Sequence, residues 1–134
     1  MSVQRILDEC IVLRAARLHR VLAQRQDMAL RQLGITGPQI VLLAHLQAQG
    51  ETRAVDLCKE LCIEKSTMSR NLKRLLSAGF ITIAPRGGRN GRPIAITELG
   101  RSKVEAGFPI WEATQRKLLE LMTPKERDAL ALLG

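Results

Sequence analysis

The sequence predicts a mainly α-helical fold that carries one small β-hairpin as a wing, and three observations predict it. Apolar residues recur at helical spacing along most of the 134-residue chain. Two isoleucine-rich runs, FITIA and PIAIT, alternate with the period of a strand. The stretch between them, PRGGRNGR, is too polar for core and too rich in glycine for regular structure. A chain of this length with 46% apolar residues buries one core, so a single domain is expected, with apolar surface to share with a second copy.

From Val3 to about Gln32, positions such as Ile6, Leu7, Cys10, Ile11, Leu18, Val21 and Leu22 keep helical spacing, and Gly34 ends this first long helix. ITGPQ starts a second, with Thr36 as N-cap and Pro38 in the first turn, and QIVLLAHLQAQ makes it mostly buried. QGETRA reads as a turn with room for a very short strand, and VDLCKELC as a short third helix facing inward through Val55, Leu57, Cys58 and Leu61. A fourth helix spans EKSTMSRNLKRLLSAGF. Rotating about 100° per residue puts Met68, Leu72, Leu75, Leu76 and Gly79 on one face and Ser66, Arg70, Lys73, Arg74 and Ser77 on the other. Thr67, Ser69 and Asn71 fall at the borders. After the hairpin the chain turns helical again from Glu98, with a kink expected at Gly107 and Pro109. TPKE then opens a last helix as a capping box, with Thr123 as cap, Pro124 at the first position and Glu126 three on.

Charge narrows the function. There are 21 Lys plus Arg against 13 Asp plus Glu, a net charge of +8, and this balance favours a polyanionic partner. With two Phe, one Trp and no Tyr, the chain lacks the stacking platforms of single-strand binders, which favours duplex. No export signal or membrane-length apolar run is present, so a cytoplasmic protein with no membrane partner is expected. Cys10, Cys58 and Cys62 are then reduced thiols.

The third and fourth helices, a short turn apart and followed at once by a hairpin, form a winged helix-turn-helix arrangement whose second helix suits the major groove. Between Glu64 and Arg92 stand Lys65, Arg70, Lys73, Arg74, Arg86, Arg89 and Arg92 against the single acid Glu64. A merely solvated face interleaves both signs, and this one does not. Ser66, Thr67 and Arg70, nearest the helix start, are candidates to read base edges, with Ser69 and Asn71 beside them; Lys73 and Arg74 are candidates for phosphate. Arg86, Arg89 and Arg92 would carry the wing to a minor groove or the backbone. The alternative is a basic RNA- or ribosome-binding module without DNA sequence specificity. No phosphate loop, nucleophile elbow or HExxH-type motif is present, so neither an enzyme nor a cofactor is expected.

EKSTMSRNLKRL, PIAITELGR, ITGPQIVLLAHL and the helices at both ends together resemble the MarR family of bacterial transcriptional regulators over essentially the whole chain. The resemblance implies a winged helix-turn-helix lobe at about 36–97 and dimerisation helices at 1–33 and 98–134. It also implies a homodimer on a pseudo-palindromic duplex site and repression relieved by a small-molecule inducer or by thiol oxidation. Val104, Phe108, Trp111, Leu118, Leu119, Leu121, Met122, Leu130 and Leu133 exceed what a small winged domain needs for itself, in keeping with that interface. The family's wing commonly carries Asp-x-Arg before its second strand; Gly88 and Asn90 stand there instead, which leaves Arg89 and Arg92, then Arg86, as the wing's arginines. Cys10 resembles the sensing cysteine of the organic-hydroperoxide branch, and Arg14 one turn on would favour its thiolate. Tyrosines that serve that cysteine in the family are absent, and a buried thiol is the plainer reading. Cys58 and Cys62, four apart, read as core and not as metal ligands, and His19 and His45 as isolated.

Overall fold

The computed structural model describes residues 1–89 and 91–134; Asn90, one of the two departures from the wing motif, lies outside the described residues. In chain order the elements are α1 (Gln4–Glu9), α2 (Ile11–Leu30) with a 3-10 turn at Arg31–Leu33, α3 (Gly37–Gln49), β1 (Thr52–Arg53) and α4 (Ala54–Leu61). There follow α5 (Lys65–Ser77), β2 (Ile81–Ile83), β3 (Pro93–Ile96), α6 (Glu98–Glu120) and α7 (Pro124–Leu133). Among the described residues no helix is long and apolar enough to cross a membrane.

The first predicted helix is two helices. Cys10 leaves the helical region at ψ 111°, and the Arg14 guanidinium donates to the Asp8 carbonyl, its Nε at 3.0 Å. No residue of α1 is buried, so no packing holds it in line with α2. The ion pair between Arg5 and Glu9, at 2.8 Å, lies within α1 itself and holds the Glu9 carboxyl below its usual range.

Local signals place α3 and α7. The Gln39 N–H donates to Thr36 Oγ1 while the Thr36 N–H donates to Gln39 Oε1, which closes a capping box. Asp27 on α2 accepts the next free donor, the Gly37 N–H, at 2.6 Å, so the start of α3 is tied to α2. Thr123 and Glu126 make the same box for α7. α6 continues as one helix through Gly107 and Pro109. Pro109 is exposed, whereas Gly107, Thr114 and Leu118 are buried, so the packed face carries the helix past the missing N–H.

The short strand at Thr52–Arg53 turns the hairpin into a three-stranded antiparallel sheet of order β1-β3-β2. Ile81 pairs with Ile96 and Ile83 with Ile94, so the alternating isoleucines share one register. Ile81 and Ile94 join Leu42, Leu43, Leu46, Leu57, Met68 and Leu75 in one core beneath α3, α4 and α5. Much apolar surface remains outside it. Val3, Ile6, Leu7, Ile11 and Val12 at one end and Leu121, Leu130, Leu132 and Leu133 at the other are exposed, as is Phe108 on α6.

Candidate nucleic-acid interface

α4 ends at Cys62, a non-glycine residue at φ +53°. Its left-handed conformation reverses the chain after α4, and the Ile63 N–H returns to the Cys58 carbonyl at 3.2 Å. α5 then starts at Lys65, with no side-chain cap from Glu64. Met68, Leu72 and Leu75 pin its inner face into the core. Ser66, Ser69, Arg70, Lys73 and Arg74 consequently stand on the exposed side, with Thr67 half-buried at its edge. The Arg70 Nη2 donates to Thr67 Oγ1 at 3.2 Å, which joins two of the predicted base readers.

Asn71, read at the border, and Leu76, read on the inner face, fall on the side opposite to the expected one. Asn71 is 7% exposed, among the buried residues of α5. It follows Met68 by three residues and precedes Leu75 by four, so the rows that bury those two carry it inward. It is not available to a groove. Leu76, predicted inside, is 45% exposed.

The wing is anchored at its base. Gly79 takes φ +78° after α5, its N–H donates to the Leu76 carbonyl and that of Phe80 to Leu75, a Schellman closure that sends the chain into β2. Thr97 ties the far side, donating from Oγ1 to the Gly79 carbonyl at 2.7 Å and accepting the Gly100 N–H at 3.1 Å. At the tip Gly88 and Gly91 face one another, and the Gly91 N–H donates to the Gly88 carbonyl at 3.1 Å. Arg86, Arg89 and Arg92 are all exposed. Only Arg92 of the three lines the cleft of about 300 Å³ between sheet and α5, where it shares the walls with Ser69 and Lys73. Among the described residues the ion pairs are Arg5–Glu9 and His45–Glu60, so none of the seven bases of α5 and wing is neutralised by an acid.

The family model of the MarR family matches residues 33–92, from the end of α2 to the wing. The structure of the Mycobacterium tuberculosis transcriptional regulator MosR is similar over 95% of this chain and 94% of its own, at 27% identity and a TM-score of 0.83. Over residues 33–92 the chain thus matches the MarR family, and it has the fold of DNA-binding transcriptional regulators. These regulators are not enzymes. MosR in complex with DNA gives 26% identity and a TM-score of 0.81 over 94% of both chains. A mutant of MarR from Escherichia coli, complexed with operator DNA, shares the fold at 20% identity and a TM-score of 0.82, over 98% of this chain and 96% of that one. BpsR of Bordetella bronchiseptica, whose DNA binding is regulated by 6-hydroxynicotinic acid, does so at 23% identity and 0.80, over 93% and 90%. No curated protein sequence matches the chain.

Cys10 sits half-buried at the break between α1 and α2, not on a continuous helical stripe. The Arg14 guanidinium, one turn on, donates to the Asp8 carbonyl. Cys58 packs against the core as predicted, but Cys62 is exposed. It lines a crevice of about 500 Å³ with His19, Gln26, Glu64, Thr67 and Gln115, between α2, α6 and the start of α5. His45 is not isolated: its Nε2 lies 2.9 Å from the Glu60 carboxylate and joins α3 to α4. Arg53, which nothing in the local sequence singles out, reaches the wing, its Nε donating to the Gly91 carbonyl at 3.3 Å.

Proposed function

We propose that the protein is a cytoplasmic homodimeric repressor that places α5 of each subunit in successive major grooves of a pseudo-palindromic site, with residues 36–97 as the DNA-binding lobe. Ser66, Thr67 and Arg70 read base edges there, Ser69, Lys73 and Arg74 meet phosphate, and Arg92 and Arg89, with Arg86 further out, reach the minor groove or backbone. The observation that carries this reading is the exposed, acid-free cationic surface formed jointly by α5 and the wing, with Lys73 and Arg92 in one cleft. MosR and MarR in complex with DNA support it as relatives of the same fold.

Residues 1–33 and 98–134 join the two subunits. Their exposed aliphatic residues support this, as does the apolar groove of about 440 Å³ between α2 and α7, lined by Leu18, Val21, Leu121, Leu130 and Leu133. A small-molecule inducer enters the crevice of His19, Gln26 and Gln115, whose wall includes Glu64 and Thr67 at the head of α5. Binding there favours a dimer spacing that no longer fits the two half-sites. The crevice favours this signal over oxidation of Cys10.

Selection from randomised duplex DNA by the purified protein tests the reading. A recovered two-fold symmetric motif, bound by a dimer, is the expected outcome. Equal retention of scrambled duplex, with RNA preferred in competition, would replace it with the general polyanion module.

A further inference from the structure

The wing presents an electrostatic problem. From Ala84 to Pro93 it contains three arginines, three glycines and no acid, so its cations repel one another and its backbone has little intrinsic preference for one shape. Among the described residues two internal bonds close it: Ala84 N–H to the Pro93 carbonyl at 2.9 Å at the base, and Gly91 N–H to the Gly88 carbonyl at 3.1 Å at the tip. The third restraint comes from outside, where Arg53 Nε donates to the Gly91 carbonyl at 3.3 Å.

Arg53 is well placed to act as a strut. It pairs with Pro93 in the β1–β3 ladder and immediately precedes α4, so its backbone is held between the sheet and the first helix of the helix-turn-helix. Pro93 accepts the Ala84 N–H but has no N–H to return, so the base of the wing lacks one backbone bond and more of the restraint is left to the Arg53 side chain. The bond is charge-assisted, since the donor is a guanidinium. Its acceptor belongs to the residue just before Arg92, and Arg92 shares its cleft with Lys73, Ser69 and Ala54, the neighbour of Arg53.

We propose that Arg53 is a positioning residue for DNA binding: by holding the Gly91 carbonyl it fixes Arg92 at a set distance from α5, so that helix and wing meet the duplex together. The inference rests on the DNA-binding reading above, but the state of the wing is measurable without DNA.

Two measurements on the full-length protein test it. In the DNA-free protein, Arg53→Ala is expected to speed amide exchange at Gly91, with the midpoint of urea unfolding nearly unchanged; unaltered Gly91 exchange overturns the proposal. On the selected duplex, Arg92→Ala is expected to weaken binding about tenfold and Arg53→Ala several-fold, roughly the range for one charged hydrogen bond. The double variant should be no weaker than Arg92→Ala within about twofold, because a strut has nothing left to position. Multiplicative losses would overturn it in favour of an independent phosphate contact by Arg53. If wild type binds no duplex, the DNA-binding reading fails, and the Gly91 exchange rate still decides whether Arg53 holds the wing.

Discussion

Gly100 lies in the first turn of α6, against the start of β2. A Cβ added there would lie 2.2 Å from the Phe80 carbonyl oxygen, 3.1 Å from its carbon and 2.8 Å from Ile96 Cγ1. The first two atoms are backbone, and that same carbonyl accepts the Thr97 N–H at 3.0 Å. Relieving the clash in Gly100→Ala therefore means moving α6 away from the base of the wing. Overpacking of this kind costs about 1–3 kcal/mol, and weakening the Thr97 bond adds up to about 1 kcal/mol. Alanine returns at most about 1 kcal/mol in helix propensity. The net is a loss of about 2 kcal/mol, which at a urea m-value of roughly 2 kcal/mol/M lowers the unfolding midpoint by about 1 M. Gly107→Ala is the internal control. Its added Cβ meets the tip of the Ile40 side chain at 2.2 Å and nothing else within 3.4 Å, so a rotamer change relieves it and the loss should be about 1 kcal/mol or less. Both variants should be unfolded in urea at one protein concentration, because a dimer's stability depends on it. A raised midpoint for Gly100→Ala, or one equal to that of Gly107→Ala, would refute the claim that backbone contact requires glycine there.

Arg70→Ala should cost about 1–3 kcal/mol on the selected duplex and clearly less on scrambled duplex, measured by fluorescence anisotropy; equal losses would remove Arg70 from base reading. Lys73→Ala should weaken both duplexes alike and reduce the slope of log affinity against log salt by about one. An unchanged slope would show that Lys73 makes no phosphate contact. Cys62→Gly should stabilise the fold by roughly 0.5–1 kcal/mol, since the left-handed conformation costs an L residue about 1–2 kcal/mol and glycine gives back part of that through its freer unfolded chain. A lower urea midpoint would mean that the Cys62 side chain contributes more than its backbone costs.

Whatever depended on neighbours a few residues apart was legible in the sequence. The N-cap at Thr36 and the capping box at Thr123 form as read, and the partner that completes each lies within three residues. Helical spacing put Met68, Leu72 and Leu75 inward, and therefore Ser66, Arg70, Lys73 and Arg74 outward. The acid-free run from Lys65 to Arg92 needed only a count. Border positions were less secure. A rotation of a few tens of degrees decides whether Asn71 or Leu76 is covered, and periodicity does not resolve that.

Only the tertiary structure decided the rest. Cys10 divides the first helix because α1 finds nothing in its own chain to pack against, while Arg14 satisfies the Asp8 carbonyl at the break. His45 on α3 meets Glu60 on α4, 15 residues on, and Arg53 meets Gly91 across 38 residues because β1 lies beside β3. By itself the sequence determined which faces are apolar, where helices start and where positive charge gathers, since these follow from contacts within a turn or two of chain. Side chains from distant segments become partners only once the core has set the distances between elements, and in this protein those distances carry the wing to α5.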